Sequence, residues 1–292
     1  MKTSDPDPIA ADVVRMVTDA EARLVCRQVI RAVSEQHGVD SRRVKAAITR
    51  LVEAGILRFS EECGNCFLEK HYGGTVRLSP HVMVAPPRVP VAPETGCQVV
   101  RLMPGAAFGD CRHPTTRLSV CGVDFLFAEN TGFGRPAAGL DIGTGSGILA
   151  LVAARLGVFR VLAIDIDPCA RKEAAENAAL NDLSDRIVVS DRGLEQVSGP
   201  FFLVTANLRL PTLKRYAPLI DNLLIPGGGL VVSGIRNQET APLLAVFEAT
   251  GNCVWQSSDG GWSAMVFIKH PSKAKKHQRT ALDSKKEVTH EH

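Results

Sequence analysis

Three glycines separated by single residues, Gly143, Gly145 and Gly147, stand in the stretch LDIGTGSGILA at residues 140–150. Lacking a Cβ, they let a backbone turn approach a ligand closely, while the first free N–H groups of a following helix point at it. That chemistry suits a nucleotide-like cofactor. A dinucleotide turn wants glycine at its first, third and sixth positions, and the sixth position counted from Gly143 is Ile148, which argues against a dinucleotide. Asp165 ends an apolar run 20 residues after Gly145 and can accept two hydrogen bonds from ribose hydroxyls. Helix capping is the competing use of such an acid, and Asp167, just before Pro168, fits that use better. Asn207 closes a later apolar run, where its amide can orient an amine, touch a cofactor or simply form a turn.

For these side chains to converge, they must stand at the carboxyl ends of neighbouring strands in an open α/β sheet. The text supplies such strands. Residues 138–142, 159–164, 187–190 and 202–206 are short apolar runs, followed respectively by the glycine turn, Asp165, Asp191 and Asn207. Glycines 227–229 precede a fifth run at 230–233, and Val254 with residues 264–268 gives two more, joined through Gly260-Gly261. Seven strands interleaved with helical patterns predict a doubly wound domain.

Upstream, the expectation is a smaller module. Residues 1–16 are polar and proline-containing and read as frayed. A helix capped by Asp19 runs to about Gln36, and a second, capped by Asp40 or Ser41, ends at Gly55. Strands at 56–61 and 66–71 around Gly64-Asn65 complete a winged-helix-like pattern over residues 1–80. Four prolines in residues 81–95 place a linker at 81–96, the main domain then spans 97–270, and the lysine-rich residues 271–292 read as a disordered basic tail.

Bulk properties narrow the field less. A net charge of +3 is too small to demand a nucleic-acid partner, and residues 1–90 carry 13 Lys+Arg against 11 Asp+Glu. Arg42, Arg43, Lys45 and Arg50 on the second helix leave nucleic acid open, although protein contact or dimerisation is the reading favoured here. Eight cysteines without a framework spacing, no signal-peptide pattern and no run of eighteen apolar residues predict a cytoplasmic protein without a membrane span. Cys63 and Cys66 read as hairpin residues before they read as a redox pair or zinc ligands with His71 and His81. No metal is expected.

Asp141 two residues ahead of GxGxG resembles the first motif of class I S-adenosylmethionine-dependent methyltransferases. The stretch Phe108-Gly109, then His113-Pro114-Thr115-Thr116, resembles the loop and helix start that precede that motif in the ribosomal protein L-eleven methyltransferases, the PrmA family. AIDIDPCARKEAAENAALN, TANLRLPTLKRYAPLI, LIPGGGLVVSGI and DGGWSAMVFIK follow in the same order, so the resemblance covers about residues 101–269. It implies a Rossmann-like seven-stranded methyltransferase domain, S-adenosylmethionine as cofactor, and an amine of a protein, ribosomal or otherwise, as acceptor. A small-molecule acceptor with a dimerising N-terminal domain, and a nucleic-acid-binding regulator with a cofactor-sensing domain, remain the alternatives. The resemblance also implies a cofactor pocket of Phe108, Thr115, Thr116, Asp141, the three glycines, Asp165, Asp191 and Asn207, with Asp191 holding the adenine amino group. His113 and Asp110 are candidates for a general base beside Asn207, and helix capping is the rival role for the two threonines. The chain departs from the family pattern at Asp110-Cys111, where Thr-Gly is usual, at Leu208-Arg209 after Asn207, and in its N-terminal module, which in the family is a ferredoxin-like αβ sandwich.

Overall fold

The computed structural model describes residues 7–271 apart from 21–23, 55, 63–64, 71–73, 93, 104, 106, 110, 112 and 130–136. Its first helix, α1 (Pro8–Asp19), begins where Asp7 accepts the Ile9 N–H at 3.1 Å with Pro8 at the first helical position. The expected fraying is therefore corrected over residues 7–16, residues 1–6 lying outside the described residues, and so is the helix starting at Asp19. Asp19 ends a helix, and the two-residue strand β1 (Leu24–Val25) separates it from α2 (Cys26–His37). Gly38 closes α2 in the left-handed region at φ 62°, and the Asp40 side chain caps α3 (Ser41–Glu53) through the Arg42 N–H at 2.8 Å. Strands β2 (Leu57–Glu62) and β3 (Asn65–Lys70) follow, and the antiparallel sheet has the order β1-β3-β2. Cys66 pairs with Glu61 across this hairpin, not with the other cysteine of its pair; Cys63, Gly64 and His71 lie outside the described residues. Val13, Val29, Val33, Val44 and Ala47 are fully buried together, each such valine contributing roughly 1.5–3 kcal/mol.

Residues 81–96 are not wholly a linker. Strands β4 (Val76–Ser79), β5 (Val82–Ala85) and β6 (Gln98–Arg101) form a small mixed sheet, with β5 antiparallel to β4 and parallel to β6. Val82 and Val84 alternate with Met83 and bury against the main core, and that packing outweighs the proline-rich text on either side. Asp124 strengthens the attachment from α4 (Pro114–Glu129), accepting from the His81 backbone N–H at 3.2 Å and lying 2.9 Å from its Nδ1.

The main sheet is built from β7 (Ala138–Ile142), α5 (Ile148–Arg155), β8 (Arg160–Ile164), α6 (Pro168–Leu180), β9 (Ile187–Ser190), β10 (Phe201–Asn207) and α7 (Leu210–Leu223). It is completed by β11 (Leu224–Arg236), α8 (Thr240–Phe247), β12 (Gly251–Asp259) and β13 (Trp262–Lys269). Strand order is β12-β13-β11-β10-β7-β8-β9, parallel from β7 through β11, with β12 and β13 antiparallel. Glycines 227–229 lie inside β11 rather than before it, where the β10 pairing slips between Phe201 and Leu203, as glycine in a strand often does. Alternation along β10 sends Leu203 to the face covered by α4 and α5, and Val204 to the face covered by α7 and α8. Covering both faces is what lets parallel strands read as unbroken apolar runs. Among the described residues no helix is long and apolar enough to cross a membrane.

Candidate active site

The sheet register brings the expected residues to one edge. Ala206 pairs with Ile142, Ile142 with Ile164, and Ile164 with Ser190, so the next residues, Asn207, Gly143, Asp165 and Asp191, stand in a row along the carboxyl ends of four adjacent strands. Strand order reverses between β10 and β7, the place in an open α/β sheet where a crevice forms.

The glycine turn is tied down on every side. Gly143 and Thr144 donate their N–H groups to the Ile164 carbonyl at 2.9 and 3.0 Å, and Gly145 donates to Asp165 Oδ2 at 2.9 Å. Gly145 has φ 54°, and a Cβ there would run into the carbonyl of Phe108. Gly147 packs against α6, where a Cβ would lie 3.1 Å from the Ala174 Cα. Asp141 faces inward rather than into the crevice. Its carboxylate is buried and accepts from Thr144 Oγ1 at 2.6 Å and Thr205 Oγ1 at 2.7 Å. Burial pushes its pKa up, and the two hydroxyl bonds oppose that shift. Its position makes it a brace beneath the turn.

Asp165 is held in place by the N–H groups of Gly145 and Asp167, the latter at 2.9 Å on Oδ1, while Asp167 caps α6 through the Cys169 N–H. A carboxylate has about four acceptor sites, so each oxygen keeps one for a hydroxyl. Next to it, Ile166 is 86% exposed, an apolar side chain beside Asp165 that the sequence reading missed. Asp191 is exposed at the end of β9. The Asn207 amide makes no hydrogen bond to the described residues.

Opposite the turn lies the segment leading into α4. Phe108 accepts the Ser146 N–H at 2.8 Å, and the Gly109 carbonyl accepts from Ser146 Oγ at 3.0 Å. The segment is positioned by α6. Asn181 takes the N–H and carbonyl of Arg101 at 2.8 and 2.6 Å; Asn177 takes the Met103 N–H and reaches the Ser146 carbonyl at 2.8 and 2.9 Å; Glu173 accepts the Ala107 N–H at 3.0 Å. These three lie at i, i+4 and i+8, one stripe of a helix. The signal was present in KEAAENAALN, yet such a polar stripe ordinarily reads as a solvated face.

His113 Nδ1 accepts the Thr115 N–H at 3.3 Å and lies 2.8 Å from Thr115 Oγ1, so His113, not either threonine, caps α4. In the tautomer in which Nδ1 accepts, the ring proton sits on Nε2. Asp110, the other candidate base, lies outside the described residues. Thr116 differs from Thr115: its hydroxyl is buried and without a hydrogen-bond partner among the described residues. The His113 ring is 5.2 Å from Phe108 and 4.7 Å from Trp262, and the Arg236 guanidinium lies 3.7 Å from the centre of the Trp262 ring. Trp262 and Arg236 are cross-strand partners in β13 and β11, a juxtaposition that depends on register and that sequence reasoning did not find. Arg117 on α4 pairs with Asp259 and so fixes the β12–β13 turn beside this cluster.

A family model described as ribosomal protein L11 methyltransferase (PrmA) matches residues 69–270. Among curated relatives, the ribosomal protein L11 methyltransferase of Geobacter sulfurreducens is 40% identical over 192 residues, covering 65% of this chain and 61% of that protein. The one from Pelobacter propionicus is 39% identical over 194 residues, covering 66% and 62%. The crystal structure of a ribosomal protein L11 methylase from Lactobacillus delbrueckii subsp. bulgaricus superimposes with a TM-score of 0.59 at 30% identity, over 68% of this chain and 99% of that one. The chain thus spans about three fifths of the length of the curated relatives it matches. Because the family match runs from Glu69 to His270, through every element that carries the site, the chain belongs to the ribosomal protein L11 methyltransferase (PrmA) family.

Proposed function

We propose that the protein transfers a methyl group from S-adenosylmethionine to an amine of a protein, with a ribosomal protein as the first candidate. The observation that carries this reading is the row Asn207, Gly143, Asp165 and Asp191 at the switch point of a sheet that belongs to this family. The residues present fit the cofactor. Asp165 keeps acceptor sites for two ribose hydroxyls, Ile166 and Asp191 suit an adenine face and its amino group, and the orphaned Thr116 hydroxyl suits the polar amino-acid end. Asp141 contributes by shaping the turn from below.

When bound, S-adenosylmethionine supplies a methyl group made electrophilic by its sulfonium. The protein's part is to deliver a neutral nucleophile in line, and positioning of this kind lowers a barrier by many kcal/mol. A lysine-type amine has a pKa of about 10.4, so it must lose a proton first. The rings of Phe108 and Trp262 give a weakly solvating wall that favours the neutral amine, and the Asn207 carbonyl can accept one amine N–H, turning the lone pair toward the crevice. On this reading the proton leaves to solvent before transfer. Residues 7–70 have the helix and strand order of a winged helix, and we read them as a separate module appended to the methyltransferase domain.

Incubating the protein with labelled S-adenosylmethionine and lysate from cells lacking it tests the acceptor. Label is expected in a ribosomal protein band; label confined to small molecules overturns the protein acceptor. Absence of cofactor binding by folded protein in calorimetry overturns the reading altogether.

A further inference from the structure

The module ahead of the family match holds a basic helix face that methyl transfer does not use. α2 and α3 are joined by Gly38-Val39-Asp40, a three-residue connection of helix-turn-helix length that contains glycine. The β2–β3 hairpin follows α3 directly and pairs with β1. On α3, Val44, Ala47, Ile48 and Leu51 are buried in the module's core, which leaves Arg42, Arg43, Lys45, Ala46 and Thr49 exposed.

Charge is distributed unevenly over this module. Arg15, Arg31, Arg50 and Arg58 are each neutralised by an acid, namely Asp12, Glu35, Asp7 and Glu69. Arg42, Arg43 and Lys45, with Arg27 at the start of α2, have no ion-pair partner among the described residues. The acids on or next to α3 sit at its two ends, Asp40 as the cap and Glu53 as the last residue. Burial, and then the Cys66 thiol, push the Cys26 pKa up, with Lys45 opposing them, so α3 and the start of α2 lie near each other. Unpaired cations on the first turns of an exposed helix, with small Ala46 and Thr49 between and beyond them, are what a helix needs to approach a polyanion along its length.

We infer that residues 7–70 form a nucleic-acid-binding module that lays α3 in the major groove of duplex DNA, with Arg42, Arg43 and Lys45 contacting phosphates and base edges. DNA is favoured over RNA on geometry: the B-form major groove is about 12 Å wide and admits a helix, whereas the A-form major groove is deep and narrow. This activity is independent of methyl transfer and would bring the methyltransferase domain to a DNA-associated location.

The test is fluorescence anisotropy of a labelled, mixed-sequence 25-base-pair DNA duplex titrated with the full chain, wild type and variants, across salt concentrations. Neutralising about four phosphates predicts an affinity loss of about 100-fold between 50 and 200 mM salt. The triple variant R42Q/R43Q/K45Q is expected to bind at least tenfold more weakly, with a log–log salt slope shallower by about 2–3. R42K/R43K/K45R keeps the charges and is expected to retain the slope, which separates lost contacts from lost folding, and an unchanged Tm for both variants checks the fold. The lysine-rich stretch 272–292 is a second source of attraction, so K275Q/K276Q serves as the comparison. Wild-type binding by R42Q/R43Q/K45Q, loss of binding in K275Q/K276Q alone, or tighter binding to a duplex RNA of the same sequence would each overturn the inference.

Discussion

Single side chains in the crevice divide into those already satisfied and those waiting for a partner. Thr116 is in the second group, since its buried hydroxyl bonds to nothing described, and an unmet polar group of this kind costs about 1–3 kcal/mol. Thr116→Val should therefore hold or raise the Tm of the cofactor-free protein while weakening S-adenosylmethionine binding about fivefold to tenfold in calorimetry, the worth of one hydrogen bond. A raised Tm with unchanged affinity would remove Thr116 from the cofactor site. His113 is in the first group. With Nδ1 engaged by Thr115, His113→Gln should leave the pH dependence of kcat/KM unchanged. A pH dependence that changes in the variant would give His113 a proton-accepting role. Asp141 carries a stability signature instead. Burial raises its folded pKa above the unfolded value of about 3.9, so the stability it contributes in the protonated form is lost as pH rises from that value through the higher folded one. Unfolding of Asp141→Asn and wild type at pH 4 and pH 7 should show the variant gaining on the wild type as pH rises. An equal difference at both would mean that the hydroxyls of Thr144 and Thr205 cancel the burial.

Among the elements, α6 does more than cover the sheet. Its stripe Glu173, Asn177 and Asn181 supplies side-chain partners for backbone groups at Arg101, Met103 and Ala107, and so fixes the distance between the incoming loop and the glycine turn. Asn177 is fully buried, so Asn177→Ala strands two backbone groups and should cost about 2–4 kcal/mol, a Tm loss of about 5–15 °C by scanning calorimetry. Glu173 holds the loop at Ala107, next to Phe108, so Glu173→Ala should weaken cofactor affinity at least fivefold with a much smaller Tm change. Equal damage to Tm by both would make the stripe a packing feature only.

Across the whole chain, what could be read from the sequence was whatever local pattern and strand ends determine. Apolar runs gave the strands β7 to β10 to within a residue or so, and the polar residue ending each run lies on the shared edge, because parallel register aligns strand ends. Features that depend on tertiary packing were not legible. β5 is held by Val82 and Val84 docking on a distant core, α1 starts at an Asp-Pro pair inside a polar leader, and Trp262 meets Arg236 only because β13 returns antiparallel beside β11. The module before residue 69 falls outside the family match, which is why family likeness informs the crevice and leaves the basic face of α3 to be understood from charge alone. The hydrogen bonds from α6 have a further consequence in time. Since Arg101, Met103 and Ala107 all hand their amide protons to side chains of one helix, those protons should exchange with solvent as a single opening unit rather than one by one. A ligand gripping the glycine turn would then slow hydrogen–deuterium exchange at all three by a common factor, as far away as the small β4–β5–β6 sheet.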